Sequence, residues 1–483
     1  MKYIGFLFIT CLFFNCGTTE QPSQVEETAL FGPLVADFTT TAVKLPDGLK
    51  ADILFSEAID SVIKANGSIC AAPGSPDFMA FLPIDGNNEH GYLYINHETA
   101  NWNDSLGDGG GGSVIEIKRE NGTWKRIGTA KHVDFSPVGG TVRNCGGAVT
   151  PSGTILTAEE WEPQSNKDIY SAYRDTSKFD GRASYLNFGW VTEVDPKSGK
   201  ALRKLYQMGR MEHEGIYCDA DKKTVYLTDD ASPCVFYKFV ADKAGDYSQG
   251  QLYAFQETND GGNWLKMPMQ MDSLMQTRNI ALRMGATMYV RNEWTTGIGG
   301  KIYINETGAD EVNWAEAIAI GGQPAAHHAS KMKDGKFNDP YGRVLVFDPS
   351  TNKMSVLIEG GTADGDSTTN LASPDCIGAA NINGKDYLVI HEDLIGQSKN
   401  RVSQMAEANK ATFNEIYFLD LSIAKPTVKD LKRFMMGPKG CETSGGAFSP
   451  DASTYFVAIQ HPDTSNPEPY KRNLVIAVSG FKK

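Results

Sequence analysis

The chain has 483 residues, 41% of them hydrophobic, and a formal net charge of −13 at pH 7. A chain of this length can bury a large core, and its negative charge argues against nucleic acid as a partner. Aromatic residues at 10%, 49 glycines and few helix-like stretches favour an all-β structure.

The N-terminal segment carries the features of an export signal. An apolar run over residues 4–14 is too short to span a bilayer and is typical of a secretory signal. Cys16 ends this run and precedes Gly17 and a polar stretch, which predicts a lipoprotein; simple cleavage and secretion is the alternative. We therefore expect a lipoprotein-type signal peptide at 1–16 with lipidation of Cys16, and a tether at 17–40. Localisation would be periplasmic or at the outer membrane or cell surface, with the membrane contacted only through the lipid.

After this segment the chain repeats one plan six times. Each repeat has a short segment that opens on a potential ligand, followed by a β-prone run that ends in charged or polar side chains. Short strands closing into a ring of blades would leave no exposed sheet edges, so residues 41–483 are predicted to form a single domain. The opening segments are 75–77, 145–150, 213–215, 291–293, 373–375 and 441–443, and the second strands are 94–98, 154–157, 225–230, 302–306, 387–393 and 455–461. A third strand pattern recurs at 113–117, 190–195, 343–348 and 415–420.

The second repeat contains a cysteine and two glutamates that are expected to lie together. A Pro-Ser-Gly turn joins residues 148–150 to 154–157, which predicts a β-hairpin. The ends of a hairpin lie at one edge, so Cys145 is expected beside Glu159 and Glu160. A thiolate and two carboxylates raise one another's pKa unless a cation is present, which favours a metal site. The alternative is a buried free cysteine next to a solvated acidic pair.

The remaining repeats bring further carboxylates to the same end. We expect the metal ligands to be Cys145, Glu159, Glu160, Glu214, Glu293, Asp375 and Glu442. Residues expected around them, as rim groups that orient the ligands, are His97, Glu98, His213, Asp229, Glu306, Glu392 and His461.

The remaining cysteines and two loops give further expectations. Cys218 and Cys234 belong to one hairpin region and could form a disulfide in an oxidising compartment, whereas Cys145 is expected to stay free. The pair His327-His328 is expected to be solvated, and the glycine run 109–112 to be a surface loop. Cys376 and Cys441 lie beside predicted ligands and could either pack there or pair across the ring.

Six motifs in a fixed order together resemble the PhoX family of alkaline phosphatases. They are Asn144-Cys145-Gly-Gly with Glu159-Glu160, the stretch 209–215 ending in His213-Glu214-Gly215, Arg291-Asn-Glu293-Trp, Ser373-Pro-Asp375, Gly440-Cys-Glu442-Thr and Gln460-His461-Pro462. The resemblance implies a six-bladed β-propeller with inserted loops and a metal cluster at one mouth of the central channel. That cluster would hold a pair of Fe³⁺ ions bridged by the cysteine thiolate, with Ca²⁺ alongside. The chain departs from the family in lacking a twin-arginine signal, in carrying Cys376 where asparagine is common, and in carrying Asn292 where proline is frequent.

The resemblance also implies a function. It is that of a metal-dependent phosphomonoesterase that releases inorganic phosphate from small organic phosphates outside the cytoplasm, acting as a monomer. Cys145 and Arg291 are the expected catalytic residues, with Arg291 as a bidentate phosphate clamp; the alternative is that Arg291 only pairs with Glu293. Two other functions remain open, namely a non-catalytic calcium-binding propeller and a phosphodiesterase or lactonase-type hydrolase on the same scaffold.

Overall fold

The computed structural model describes residue 1 and residues 29–174, 184–362, 370–394 and 412–482. Within these residues six mainly antiparallel sheets are arranged as blades around a central channel; the one parallel pair among them joins Ser61–Ile63 to Thr123–His132 in the first blade. The innermost strands of neighbouring blades contact one another around the ring. The expected all-β, six-bladed propeller is confirmed.

The blades follow chain order. Blade 1 contains Pro76–Ile84, Asn87–His97, Gly112–Glu120 and Thr123–His132, extended by Ser61–Ile63 and Ile69–Ala71. Blade 2 contains Asn144–Val149, Ile155–Glu159, Val191–Asp195 and Lys200–Lys204; blade 3 contains His213–Cys218, Thr224–Asp229, Tyr237–Lys243, Asp246–Thr258 and Gly261–Lys266. Blade 4 contains Asn292–Ile298, Lys301–Glu306, Arg343–Asp348 and Lys353–Glu359; blade 5 contains Pro374–Ile382, Lys385–Glu392, Glu415–Asp420 and Lys432–Met436.

Blade 6 joins the two ends of the described chain. It contains Glu442–Phe448, Thr454–Gln460, Leu474–Ser479 and the early strand Lys50–Ser56, which pairs antiparallel with Leu474–Ser479. The ring is therefore closed by hydrogen bonds between the first and the last strand of the described chain.

Helices and two short ladders lie in the connections. The α-helices are Met271–Leu274, Thr277–Arg283, Trp314–Ala319 and Ala326–Ala329, and the 3₁₀ turns are Ser136–Val138, Ser171–Tyr173, Ser184–Asn187, Tyr206–Met208 and Val428–Asp430. Thr287–Met288 pairs with Gln323–Pro324, and Gly361–Thr362 pairs with Asn370–Leu371. No helix in the described part of the chain is long and apolar enough to cross a bilayer.

Apolar side chains between adjacent blades form the core. Phe81 of blade 1 stacks on Phe456 of blade 6 with ring centroids 5.5 Å apart, and Trp124 meets Phe456 edge-on at 5.3 Å. Every residue of Thr454–Gln460 is buried, because this strand is covered on both faces by the neighbouring blades. Packing between sheets thus holds the blades at fixed positions around the channel.

The predicted strands match the observed ones, but several local expectations were wrong. The apolar run 4–14 and Cys16 lie outside the described residues. The predicted tether extends to residue 40, yet Leu30 is buried and Phe31 packs on Phe418 and Phe434 at 5.2 and 5.4 Å. The packed chain therefore begins about ten residues earlier than expected.

The cysteines and two loops also differ from expectation. Cys218 and Cys234 are free thiols, as are Cys376 and Cys441, and Cys234 Sγ instead accepts the Asn292 N–H at 3.3 Å. His328 is fully buried and His327 partly so, and the His328 ring packs against Trp314 and Phe337 at 5.2 and 5.7 Å. The glycine run 109–112 is buried rather than a surface loop, and the Gly111 N–H donates to the Asn144 side chain.

Candidate metal centre

A cavity of about 370 Å³ opens at the mouth where the innermost strands begin. Eight carboxylates, one thiol and one guanidinium line it, together with a few uncharged or weakly basic groups. The lining residues are Asp77, Glu98, Cys145, Glu160, Glu214, Arg291, Glu293, Asp375, Asp393, Leu394, Thr412, Asn414, Gly440, Glu442 and His461.

The first residues of the six innermost strands supply one row of these side chains. In each blade the pairing with the second strand is interrupted by a bulge near its start, for example between Asn144 and Gly147 in blade 2. A bulge re-aims the side chain it contains, and here it turns that side chain toward the channel. The residues placed in this way are Asp77, Cys145, Glu214, Glu293 and Asp375, with Glu442 just before the bulge of blade 6.

A left-handed backbone conformation precedes most of these residues. Ser75, Arg143, Arg291 and Ser373 have φ of 45°, 40°, 53° and 47°, and each lies two positions before a cavity residue. Non-glycine residues seldom adopt this conformation because of steric strain, so it persists only where the surroundings enforce it. Strained backbone of this kind therefore recurs at the entrance of four innermost strands, where cavity residues are aimed.

The ends of the second strands supply the other row. Successive strand residues point to opposite sides, so the residue that follows each strand faces the cavity while the last strand residue faces away. Glu98, Glu160, Asp393 and His461 follow their strands and line the cavity. The preceding residues His97, Glu159, Glu392 and Gln460 are buried on the other side.

Cys145 lies among carboxylates. Its Sγ is 2.8 Å from Asp77 Oδ2 and 2.6 Å from Glu214 Oε1, with the thiol donating. Burial, and then the charges of Asp77 and Glu214, raise the pKa of the Cys145 thiol well above its usual range. Burial and the nearby Glu160 likewise raise the pKa of Glu214, and burial raises the pKa of Asp77 to about 6.

Several buried oxygens in this cluster lack hydrogen-bond partners. Among the described residues these include Glu160 Oε2, Glu214 Oε2 and Asp375 Oδ1. A buried acceptor without a donor costs free energy, and protonating many carboxylates is the alternative to binding cations. Unpartnered oxygens around a thiol therefore fit metal ions, and hard oxygen donors suit calcium and ferric iron.

Four groups of three side chains bring ligand atoms within 4.8 Å of one another. They share members, so neighbouring ions could be bridged by common ligands, Cys145 among them. The groups are Asp77, Glu98 and Cys145; Cys145, Glu160 and Glu214; Glu214, Glu293 and Asp375; and Glu98, Glu442 and His461.

A fifth group, Glu306 with His327 and His328, is of another kind. His327 Nε2 lies 2.9 Å from Glu306 Oε2 and His328 Nε2 lies 2.5 Å from Oε1, while Arg343 donates to the same carboxylate at 2.6 Å. A metal-binding imidazole normally donates its other N–H to an acceptor, yet His328 Nδ1 has no partner among the described residues. These contacts form a hydrogen-bonded ion cluster in which Arg343 already pairs with the Glu306 carboxylate.

Arg291 crosses the cavity rim and holds two carboxylates. Its Nε and Nη2 lie 2.8 and 3.3 Å from the two Asp230 oxygens, and Nη2 lies 2.7 Å from Glu293 Oε1. Burial would raise the pKa of Asp230, but Arg291 outweighs it and the pKa is lowered. Nη1 has no protein partner in the described part of the chain, so this edge of the guanidinium can bind an anion.

The structure gathers most of the predicted ligands but places Glu159 elsewhere. Cys145, Glu160, Glu214, Glu293, Asp375 and Glu442 all line the cavity. The Glu159 carboxylate instead lies 2.9 Å from Lys204 Nζ and accepts the N–H groups of Gly189 and Trp190. Its oxygens are occupied there, so we keep Glu160 and not Glu159 in the candidate ligand set.

The other predicted rim residues divide into two sets. Glu98 and His461 line the cavity itself. The rest are buried behind it with partners of their own: His97 with the Gly74 carbonyl and Ser113, His213 with the Gly209 carbonyl, Asp229 with Arg278, Glu306 with its cluster, and Glu392 with the Ala372 N–H.

Sequence reasoning missed three acidic residues at this mouth. Asp77 and Asp393 line the cavity, and Asp230 holds Arg291. A signal existed for Asp77, because Ser75-Pro-Asp77 repeats the Ser373-Pro-Asp375 motif. Asp230 and Asp393 come directly after second strands, one position beyond the residues that were selected.

The fold and cavity define a six-bladed β-propeller with an acidic, thiol-containing centre at one mouth. A family model described as Alkaline phosphatase PhoX matches residues 29–463. The chain therefore belongs to the PhoX family of alkaline phosphatases, which are phosphoric monoester hydrolases. Because the chain belongs to this family, it is an enzyme and not a non-catalytic calcium-binding propeller.

One solved structure shares this fold. Pseudomonas fluorescens PhoX in complex with vanadate, a transition state analogue, superposes with a TM-score of 0.70 at 21% identity, covering 93% of this chain and 98% of that one. A protein of unknown function from Dyadobacter fermentans follows at a TM-score of 0.45 and 7% identity, covering 90% and 100% of the two chains. Trypanosoma rangeli sialidase in complex with sialic acid gives 0.40 at 12% identity, with 90% and 59% covered. No match was found among curated proteins.

Proposed function

We propose that this phosphomonoesterase depends on Fe³⁺ and Ca²⁺ ions held at the mouth by Cys145, Glu160, Glu214, Glu293, Asp375 and Glu442, with Asp77 and Glu98 as further ligands. The observation that supports this most directly is the buried cluster of eight carboxylates around one thiol, with Arg291 as the one guanidinium among the lining residues. Cations would relieve the raised pKa values of these groups.

The chain's own residues prepare the site for a phosphate ester. When bound, the cations supply positive charge opposite the phosphoryl oxygens. Asp230 and Glu293 fix the guanidinium of Arg291 so that Nη1 points away from them. A planar donor held in this way can follow the phosphoryl group into the transition state.

The same arrangement bears on substrate choice and location. The protein's net charge of −13 repels phosphate dianions at long range, so capture depends on cations concentrated at the mouth. Recognition centred on the phosphoryl group would accept many small organic phosphates. Proteins of this family are typically exported, and we place this one outside the cytoplasm, with lipidation of Cys16 as the proposed anchor.

The test combines metal content with activity on one preparation. Elemental analysis should find iron and calcium, and calcium chelation should abolish hydrolysis of a chromogenic phosphomonoester, with recovery when calcium is returned. A matched phosphodiester should be hydrolysed far more slowly. Full activity in protein free of both metals, or a preference for the diester, would contradict the proposal.

A further inference from the structure

Arg143 occupies in blade 2 the position that Arg291 occupies in blade 4. Each lies two residues before a cavity side chain, Cys145 in one case and Glu293 in the other, and each has a left-handed backbone, with φ of 40° and 53°. The same local backbone geometry therefore places a second arginine at the entrance of an innermost strand.

The charge of the Arg143 guanidinium opposes the raised pKa of the nearby Glu160, but the two side chains form no salt bridge. Two other arginines do form salt bridges with carboxylates. Arg210 pairs with Glu162 at 3.1 Å, and Arg278 pairs with Asp229 at 2.6 Å. Among the described residues Arg143 has no ion pair, and its Nε is buried without a hydrogen-bond partner. A buried donor without an acceptor is costly, so this group is prepared for a ligand that the protein does not provide.

An aromatic ring packs against this guanidinium. Arg143 Cζ lies over the Trp161 ring, 5.4 Å from its centroid, and Trp161 in turn packs on Tyr170 at 5.8 Å. The Arg143 carbonyl accepts the N–H of Glu160, a cavity residue, so the backbones of the two are joined. Stacking reduces the rotamer entropy that an arginine loses on binding.

We propose that Arg143 on Trp161 forms a subsite for a second anionic group, a carboxylate or phosphate, on the leaving group of the substrate. This inference rests on the proposed phosphomonoesterase function and refines its substrate class. Arg291 and the cations take the transferring phosphoryl group, and Arg143 takes the other anion at the rim.

The chemistry favours an anion over a planar neutral group. One face of the Trp161 ring is covered by Arg143 and the ring packs against Tyr170, so it offers little surface on which a base could stack. The unpartnered N–H of the guanidinium instead requires an acceptor, and charged oxygens are the strongest acceptors available.

Two esters that differ in one group provide the test. 2-Phosphoglycerate and glycerol 2-phosphate differ only in that a carboxylate replaces a hydroxymethyl group. Arg143→Ala should raise KM for 2-phosphoglycerate by about tenfold or more, while KM for glycerol 2-phosphate and kcat for both stay near wild type. Arg143→Lys should retain part of the preference, and added salt should reduce it in the wild type.

A matched control separates local charge from overall charge. Arg203→Ala removes one positive charge from the outer strand of the same blade, where Arg203 pairs with Glu193, and should leave the ratio of the two KM values unchanged. Equal loss on both esters in Arg143→Ala, or loss of metal, would show a supporting role and overturn the subsite alone. Wild-type protein that hydrolyses neither ester would overturn the proposed function together with the subsite.

Discussion

For Arg291, a role in binding phosphate can be separated from a role in supporting Glu293. Its Nε binds Asp230 and its Nη2 binds Glu293, whereas Nη1 has no partner in the described chain. The structure therefore contains the ion pair with Glu293 that was the alternative to a clamp. Both roles can coexist, because they use different nitrogens.

Substitution of Arg291 should distinguish the two roles. Arg291→Lys keeps the charge but loses the planar contact, so we expect kcat to fall about 10²-fold with metal content unchanged. Arg291→Ala should lower kcat further and raise KM. Kinetics and bound iron should be measured on the same samples. A fully metallated Arg291→Ala protein with wild-type kcat would exclude the clamp.

Cys145 allows metal binding to be separated from folding. Cys145→Ser keeps a donor toward Asp77 and Glu214 but replaces the thiolate, so iron and activity should be lost while the fold survives. Cys145→Ala removes the donor as well and should cost a further ~1–3 kcal/mol in the unfolding free energy of metal-free protein. Denaturant titration after metal removal, beside elemental analysis, measures both effects. Equal iron in the Ser variant and the wild type would remove the thiolate from the site.

At the scale of the strand, glycine sets how closely two blades approach. A Cβ atom on Gly146 would lie 2.0 Å from the Glu214 carbonyl oxygen, which is part of the neighbouring backbone and cannot rotate away. Gly146 follows Cys145 directly, so this close approach also fixes the distance between Cys145 and Glu214.

Gly146→Ala should therefore damage stability and the metal centre together. Forcing the innermost strands of blades 2 and 3 apart is expected to cost about 1–3 kcal/mol and to lower bound iron. Gly32→Ala is the control, since nothing lies within 4 Å of the Cβ that it would add. Thermal unfolding and metal analysis of the two variants test this, and normal iron in Gly146→Ala would show that the spacing is not needed.

The pair Glu159 and Lys204 ties the end of one strand to the outer strand of blade 2. Both side chains are almost fully buried, and burial lowers the pKa of Lys204 despite the neighbouring Glu159. Lys204→Met would leave the carboxylate unpaired and should cost about 3–5 kcal/mol, whereas adding Glu159→Gln to it should recover part of that loss. Chemical denaturation of the three variants measures the difference; no recovery in the double variant would mean that packing, and not charge, dominates.

The contrast between Glu159 and Glu160 shows how far strand patterns can be interpreted. Turn residues and β-prone runs predicted the hairpins and their ends, and repetition predicted that these ends would meet. Side chains alternate along a strand, however. If the predicted end of a strand is wrong by one residue, the side chain predicted to face the cavity instead points away from it. The sequence does not mark which residue ends each second strand, and Asp229 was therefore selected in place of Asp230.

At the scale of the whole molecule, tertiary contacts of the inserted connections determine which of their side chains are buried, and the local sequence does not predict this. His327 and His328 lie in a stretch rich in small residues that predicts exposure, yet tertiary packing buries them against Glu306 and Arg343. The pKa of His328 is lowered by burial, although Glu306 opposes this. Burial alone would raise the pKa of Glu306, but His328 and Arg343 outweigh it and the pKa is lowered well below its usual range.

These shifts predict loss of stability in acid. The unfolded chain takes up a proton on His328 below about pH 6.5 and on Glu306 below about pH 4.5, whereas the folded chain resists both. Stability is therefore full above pH 6.5 and falls as the pH is lowered through these values. His328→Gln should have a lower Tm at pH 7.5 but a shallower decline of Tm between pH 6.5 and 5. A parallel decline in both proteins would contradict this origin.

The pairing of Lys50–Ser56 with Leu474–Ser479 has a consequence for the order of assembly. In a chain that crosses a membrane with its N-terminus leading, the closing strand emerges first and must wait for its partner, made more than 400 residues later. Each blade contributes to the mouth, so the binding site is incomplete throughout translocation. Cation loading would then be the last event of maturation, and a chain truncated before blade 6 would be unable to retain iron whatever ligands it already carried.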